Sequence, residues 1–186
     1  VPGLKELTQR VQAHGAKIAA QLHHGGIIAA YSHGRWGHPL WVPAYPPPMK
    51  GSYTDYFLME ELAGFAGMKP PELKVLEQAD IDVVVDQFRQ GARRAVEAGF
   101  DGIEIHAGHG YLLSAFISPL TNTRTDRYGG NLENRMRLLV EVLGAVRSEL
   151  GRDFPVWVKL DSREEGKPGG IGIDDAVASA RMVEAA

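Results

Sequence analysis

Apolar residues recur with a helical period in four stretches of the chain, and a short apolar run follows each of the first three. Residues 4, 7 and 11 give the first amphipathic segment, Leu4 to Gln12, with His14-Gly15 as its stop. Ile81, Val84, Val85, Phe88, Ala92 and Ala95 lie on one face of a second, which the sequence predicts to begin at an Asp80 cap and end before Gly99. Leu132, Met136, Leu139, Val140, Leu143, Val146 and Leu150 form the face of a third, capped by Asn131 and stopped by Gly151. A fourth opens at Asp174 and runs to Ala186 with no stop signal. The apolar runs Lys17–Leu22, Phe100–His106 and Pro155–Leu160 are short enough for strands. From 25 to 74 periodicity disappears, and Gly, Pro, Tyr and Trp dominate. A stretch of that kind predicts a long functional loop or lid.

Helix and strand alternate, with tight helix-to-strand turns and longer strand-to-helix loops. That order predicts an α/β fold with parallel strands joined by right-handed crossovers. The pattern fits part of an eight-stranded (β/α)8 barrel or a nearly complete open doubly wound sheet, and both place chemistry at the C-terminal strand ends. Those ends carry Gln21 with His23 and His24, His106 with His109, and Lys159 with Asp161. The missing initial Met and the open final helix are read as truncation at both ends, so that residues 1–186 form one partial domain with the 25–74 excursion inside it.

The 186 residues, 44% of them hydrophobic, suffice for a sizeable core. A net charge of −3, with both signs mixed along the chain, offers no basic face for nucleic acid or membrane. No apolar run reaches the roughly 20 residues that a bilayer requires, and a cytoplasmic location is the expectation. With no cysteine, the chain itself cannot ligate an iron–sulfur cluster.

The run His106-Ala107-Gly108-His109-Gly110-Tyr111 sets two imidazoles and a phenol just past a strand end. Imidazole N–H groups can hold a developing oxyanion, and a phenol can donate a proton at neutral pH. Strand-end histidines are equally the start of a metal site. Gln21 can donate and accept at the edge of a flavin or nucleobase ring, or simply end its strand. His23 and His24 point to opposite faces, so at most one joins a site. Lys159 needs an anionic partner if it faces inward. The charges between Asn122 and Gly130 are read as loop-holding, and Gly166–Gly172 lacks the spacing of a phosphate loop. Tyr31, Trp36, Trp41, Tyr45, Tyr53 and Tyr56 could shape a pocket or provide loop anchors and a subunit contact, and the latter makes a homo-oligomer one expectation.

Three runs of residues together resemble one family: Gln21-Leu22-His23-His24-Gly25-Gly26, then Gly99 through Leu113, then Phe116-Ile117-Ser118-Pro119 with Asn122 through Gly130. The sequence is similar to the Old Yellow Enzyme family of NADH:flavin oxidoreductases, with ene-reductase and 2,4-dienoyl-CoA reductase-like members. The resemblance covers the whole chain and implies strands three to five of an FMN-carrying TIM (β/α)8 barrel. It implies hydride transfer from NADH or NADPH through FMN to a C=C bond conjugated to a carbonyl, in a small enone or enoyl substrate. By position, Gln21 matches the glutamine on the flavin ring and Lys159 the cation beside it. His106 and His109 match the pair that holds the substrate oxygen, and Tyr111 matches the proton donor. Ile27 and Gly108 depart from the pattern, which more often has arginine and alanine there. The competing expectation is a metal-dependent barrel hydrolase with His106, His109 and His23 or His24 as ligands.

Overall fold

The computed structural model describes residues 1–29, 38–45 and 72–186. In chain order its elements are α1 (Pro2–Gln12), β1 (Ala19–Leu22), a 3-10 turn (Gly26–Ile28), β2 (Leu40–Val42), β3 (Leu73–Val75), α2 (Gln78–Glu97), β4 (Gly102–Ala107), α3 (Leu112–Ile117), α4 (Leu132–Leu150), β5 (Val156–Leu160) and α5 (Ile173–Ala185). β1, β4 and β5 form one parallel sheet in that order, so the order in space follows the order in the chain. The predicted parallel α/β pattern is therefore what these residues adopt.

Alternation along each strand sorts the sheet into two faces. Ile103, Ile105 and Ala107 of β4 are buried in the main core, and Ala20, Leu22, Val156, Val158 and Leu160 pack against it. α2 supplies Ile81, Val84, Phe88, Ala92 and Ala95 to this core, a single stripe with the spacing expected of a helix laid on a sheet. α4 supplies Met136, Leu138, Leu139, Val142, Leu143 and Val146. The predicted stripe placed Val140 inward, but the helix turns Leu138 and Val142 to the core instead, and Val140 is only part-buried. The stripe is wider than the sequence face implied, because α4 packs on α2, α3 and α5. The opposite sheet face carries Gln21, Glu104, His106, Trp157 and Lys159.

Helix starts differ from prediction by a residue or more, for one physical reason. Asp80 is not the cap of α2. Glu77 is, and the Asp80 carboxylate accepts the Glu77 backbone N–H at 3.0 Å from the third helical position. At α5 the cap is Gly172 rather than Asp174, and Asp175 accepts the Gly172 N–H at 3.1 Å. Asn131 does cap α4, accepting from Asn134 N at 2.9 Å.

Two features lie outside the predicted elements. All six residues of α3 are buried, so it has no polar face and no helical period to read. Within 25–74, where the sequence predicts only an excursion, the described residues contain the 3-10 turn and the parallel pair β2–β3. Leu40 and Val42 are buried, which explains why so short a strand holds. Arg124 ties this pair to the rest, donating through Nη1 to Pro43 O and Leu76 O at 2.7 Å each and pairing with Asp126. Arg127 pairs with Glu141 at 2.8 Å. The charges between Asn122 and Gly130 thus hold the loop, as predicted.

Candidate active site

This second sheet face is organised in rows by the strand register. Gln21, Glu104 and Trp157 are aligned across β1, β4 and β5. Gln21 Nε2 donates to one Glu104 carboxylate oxygen, and Trp157 Nε1 donates to the other at 2.8 Å. These two donors, Gln21 first, hold the Glu104 carboxyl below its usual range against the opposing effect of burial, with Lys159 adding favourable charge. Gly102 lets the indole lie across the sheet, since a Cβ there would sit 2.7 Å from the Trp157 ring. With Gln21 Nε2 engaged, its amide oxygen is left to accept.

One step further along the strands, His106 is aligned with Lys159. His106 is 3% exposed, and its Nδ1 accepts the Gly108 N–H at 3.2 Å. An accepting Nδ1 puts the ring proton on Nε2. Burial pushes the His106 pKa down, and the neighbouring His109, Lys159 and His23 add to the effect. The ring is therefore kept as a neutral donor.

Beyond the strand end the chain makes a tight loop and enters α3, with Tyr111 at the cap position. Leu112 N donates to His24 O at 3.0 Å, which binds this loop to the end of β1. His109 has φ 60°, a left-handed conformation that is uncommon for a residue with a side chain. Its N–H donates to both oxygens of Asp161, at 3.0 and 2.9 Å. Ser114 Oγ donates to Asp161 Oδ2 at 2.8 Å and accepts the Gly110 N–H at 3.3 Å. A Cβ at Gly108 would lie 2.8 Å from Asp161 Oδ1, so glycine at this departure from the family pattern matches the close approach of the carboxylate.

The result is a cluster of rings. His106 lies 4.9 Å from His109 and 4.8 Å from Tyr111, edge to face in both cases, and His109 lies 6.5 Å from Tyr111. His23 joins them, 4.9 Å from Tyr111 and 6.2 Å from His106. His24 points away, stacks on Trp41 at 5.4 Å, and accepts the Gly26 N–H at Nδ1 at 3.1 Å. Desolvation, with a smaller contribution from His23, lowers its pKa to about 4. Of the two adjacent histidines, one joins the cluster and one does not, as their alternation required. Among the aromatic residues of the excursion, Trp41 is a stacking partner and Tyr45 is exposed. Tyr31, Trp36, Tyr53 and Tyr56 lie outside the described residues.

All five residues singled out from the sequence, Gln21, His106, His109, Tyr111 and Lys159, stand on or just beyond this face. Sequence reasoning passed over Glu104, Trp157, Ser114 and the holding role of Asp161. A signal existed for three of them. Glu104 precedes His106 by two residues, Trp157 precedes Lys159 by two, and Asp161 follows it by two, so each pair shares a strand face. Among the described residues no group of three or more His, Cys, Asp or Glu side chains is arranged to hold a metal ion, so the ligand set of the hydrolase alternative is not assembled.

The chain is similar to known proteins in sequence and in fold. The metal reductase of Desulforamulus reducens is 44% identical over 161 residues, 86% of this chain and 21% of that protein. The NADPH dehydrogenase of Halalkalibacterium halodurans is 37% identical over 184 residues, 99% of this chain and 46% of that protein. The crystal structure of Old Yellow Enzyme from Pichia sp. AKU4542 superposes with a TM-score of 0.73 at 32% identity, over 92% of this chain and 42% of that one. The chain spans less than half the length of the curated relatives it matches, and its parallel strands and helices are part of a TIM (β/α)8 barrel. Residues 1–186 match the NADH:flavin oxidoreductase / NADH oxidase family, and the chain belongs to that family.

Proposed function

We propose that the whole protein is an FMN-dependent ene-reductase driven by NADH or NADPH, acting on a small enone or enoyl compound. The observation that carries this reading is the convergence of His106, His109 and Tyr111 within 6.5 Å of one another, with His106 two residues along β4 from Glu104, the strand partner of Gln21.

The residues present fit a flavin. The edge of its ring system alternates N–H and C=O groups, and Gln21 retains a free acceptor while Lys159 brings a cation to the same sheet face. Gln21 and Lys159 would hold the ring. When bound there, FMN would supply the hydride chemistry that links the nicotinamide to the alkene carbon β to the carbonyl.

The chain's own residues do the rest. His106 is neutral with its proton on Nε2, which makes it a donor toward a substrate carbonyl oxygen rather than a charge in a poorly hydrated site. His109 provides the second donor. Together they stabilise negative charge as it develops on that oxygen, and Tyr111 supplies the proton to the carbon α to the carbonyl through its hydroxyl. The partial barrel of residues 1–186 is then one catalytic portion of a single domain, and we place the enzyme in the cytoplasm; among the described residues no helix is long and apolar enough to cross a membrane.

Purification of the full-length protein tests this reading. A yellow protein with flavin absorbance, oxidising NAD(P)H in the presence of 2-cyclohexen-1-one and saturating the C=C bond, is expected. A colourless protein, or a yellow one that leaves every enone and enoyl thioester intact, would reject it.

A further inference from the structure

Asp161 stands two residues beyond Lys159, just past the end of β5, and its carboxylate is committed to the backbone of a different strand's loop. It receives the His109 N–H at both oxygens, 3.0 and 2.9 Å, and the Ser114 hydroxyl at 2.8 Å. Ser114 is itself buried and accepts the Gly110 N–H at 3.3 Å. Two consecutive residues, His109 with φ 60° and Gly110 with φ 73°, are therefore held by one carboxylate, directly and through one hydroxyl.

The left-handed conformation decides where the His109 side chain goes. For a residue with a Cβ, that region is strained and persists only when surrounding structure over-determines it. Reversion to negative φ would swing the Cβ off the strand end and take the imidazole away from His106, which it meets at 4.9 Å. Charge-assisted bonds to the N–H are the local force that opposes this reversion. Gly108 is the second half of the arrangement, because an added Cβ there would stand 2.8 Å from Asp161 Oδ1 and displace the carboxylate.

We infer that Asp161 is a positioning residue, whose carboxylate, accommodated by Gly108 and bridged by Ser114, locks His109 in the left-handed conformation and so fixes its imidazole beside His106 and Tyr111. Asp161 touches no reacting atom in this scheme and acts through His109. The kinetic consequence rests on the proposed ene-reductase reading, whereas the conformational claim does not.

The test uses the full-length protein with Asp161→Ala, Asp161→Asn and Gly108→Ala, read first by amide hydrogen exchange at His109 and by the ring-proton NOE between His106 and His109. Asp161→Ala should accelerate His109 exchange roughly 10-fold to 100-fold, the equivalent of one lost charge-assisted bond, and abolish the NOE. Asp161→Asn keeps one acceptor and should restore much of both. Gly108→Ala keeps Asp161 in the chain but pushes its carboxylate off the His109 N–H, so it should shift both readouts in the same direction, and it serves if Asp161→Ala does not fold. The second reading is the KM for 2-cyclohexen-1-one, which Asp161→Ala should raise about tenfold, with partial rescue in Asp161→Asn.

Unchanged His109 exchange and an intact NOE in both Asp161→Ala and Gly108→Ala would overturn the inference. So would a displaced His109 with wild-type KM and kcat, since positioning would then have no purpose. If wild-type protein reduces no enone, the function proposed above fails, and the exchange and NOE measurements still decide whether Asp161 holds His109.

Discussion

The backbone N–H of Gly108 donates to Nδ1 of His106 at 3.2 Å, and this contact decides which form of the imidazole the site presents. The accepting nitrogen cannot carry a proton, so the ring is the Nε2–H tautomer. Burial, then His109, Lys159 and His23, lower its pKa from the ordinary 6.5. Because the folded value is depressed, the neutral ring survives as pH falls below the value at which an unfolded histidine would charge. In the full-length protein labelled with 15N at histidine, His106 should show the Nε2–H pattern at neutral pH and a titration midpoint below 6.5. An Nδ1–H pattern, or a midpoint above that value, would remove it as a neutral donor.

Tyr111→Phe separates the two half-reactions of the proposed enzyme. A residue that only protonates carbon after hydride arrives has no part in nicotinamide oxidation. Rapid mixing should therefore show flavin reduction by NAD(P)H nearly intact and alkene reduction slowed by about 10² to 10⁴, the range for a lost general acid. Equal losses in both halves, or none in either, would take the proton-donor role from Tyr111. His106→Ala and His109→Ala should instead weaken the step that needs the carbonyl held, by about 3 kcal/mol as for a removed oxyanion donor.

Periodicity made α2, α4 and the three parallel strands legible, because a helix laid on a sheet buries one stripe and a strand alternates faces. The same logic assigned His23 and His24 to opposite sides, and they lie there. α3 escaped because all its residues are buried, and β2–β3 because each is three residues long and stabilised by distant contacts such as Arg124 to Pro43 and Leu76. The positions of His106, His109 and Tyr111 were readable from the motif. The means of holding them was not, since Asp161 is 52 residues from His109 in sequence and meets it only through the β4–β5 pairing.

Asn122 is a structural keystone of the loop between α3 and α4. Its buried amide donates to Phe116 O at 2.6 Å and Tyr128 O at 2.7 Å, and its oxygen accepts the Arg124 N–H at 3.2 Å. Asn122→Ala strands two buried carbonyls, each worth about 1–3 kcal/mol when unsatisfied, so a loss of about 3 kcal/mol is expected. Asn122→Asp removes both donors and sets a carboxylate against the carbonyls, and it should be at least as damaging. Denaturant unfolding of the full-length variants measures this; a loss under about 1 kcal/mol in both would show that water or a rearranged loop replaces the amide.

His24 should make the protein acid-sensitive in a defined window. Its ring stacks on Trp41 and accepts the Gly26 N–H, and desolvation, followed by repulsion from His23, lowers its pKa from 6.5 to about 4. The sign follows from proton counting: between those two values the unfolded chain binds a proton that the folded one does not, so stability rises with pH there. The contribution is fully present above pH 6.5 and is lost as pH falls through about 4. At 1.36 kcal/mol per unit, the shift corresponds to roughly 3 kcal/mol across the window. His24→Gln keeps an acceptor for Gly26 and a flat amide for Trp41 but cannot titrate. Unfolding midpoints measured from pH 7 to pH 4 should fall less steeply in this variant than in the wild type. Parallel curves for the two proteins would show that His24 charges in place, with the ring already hydrated.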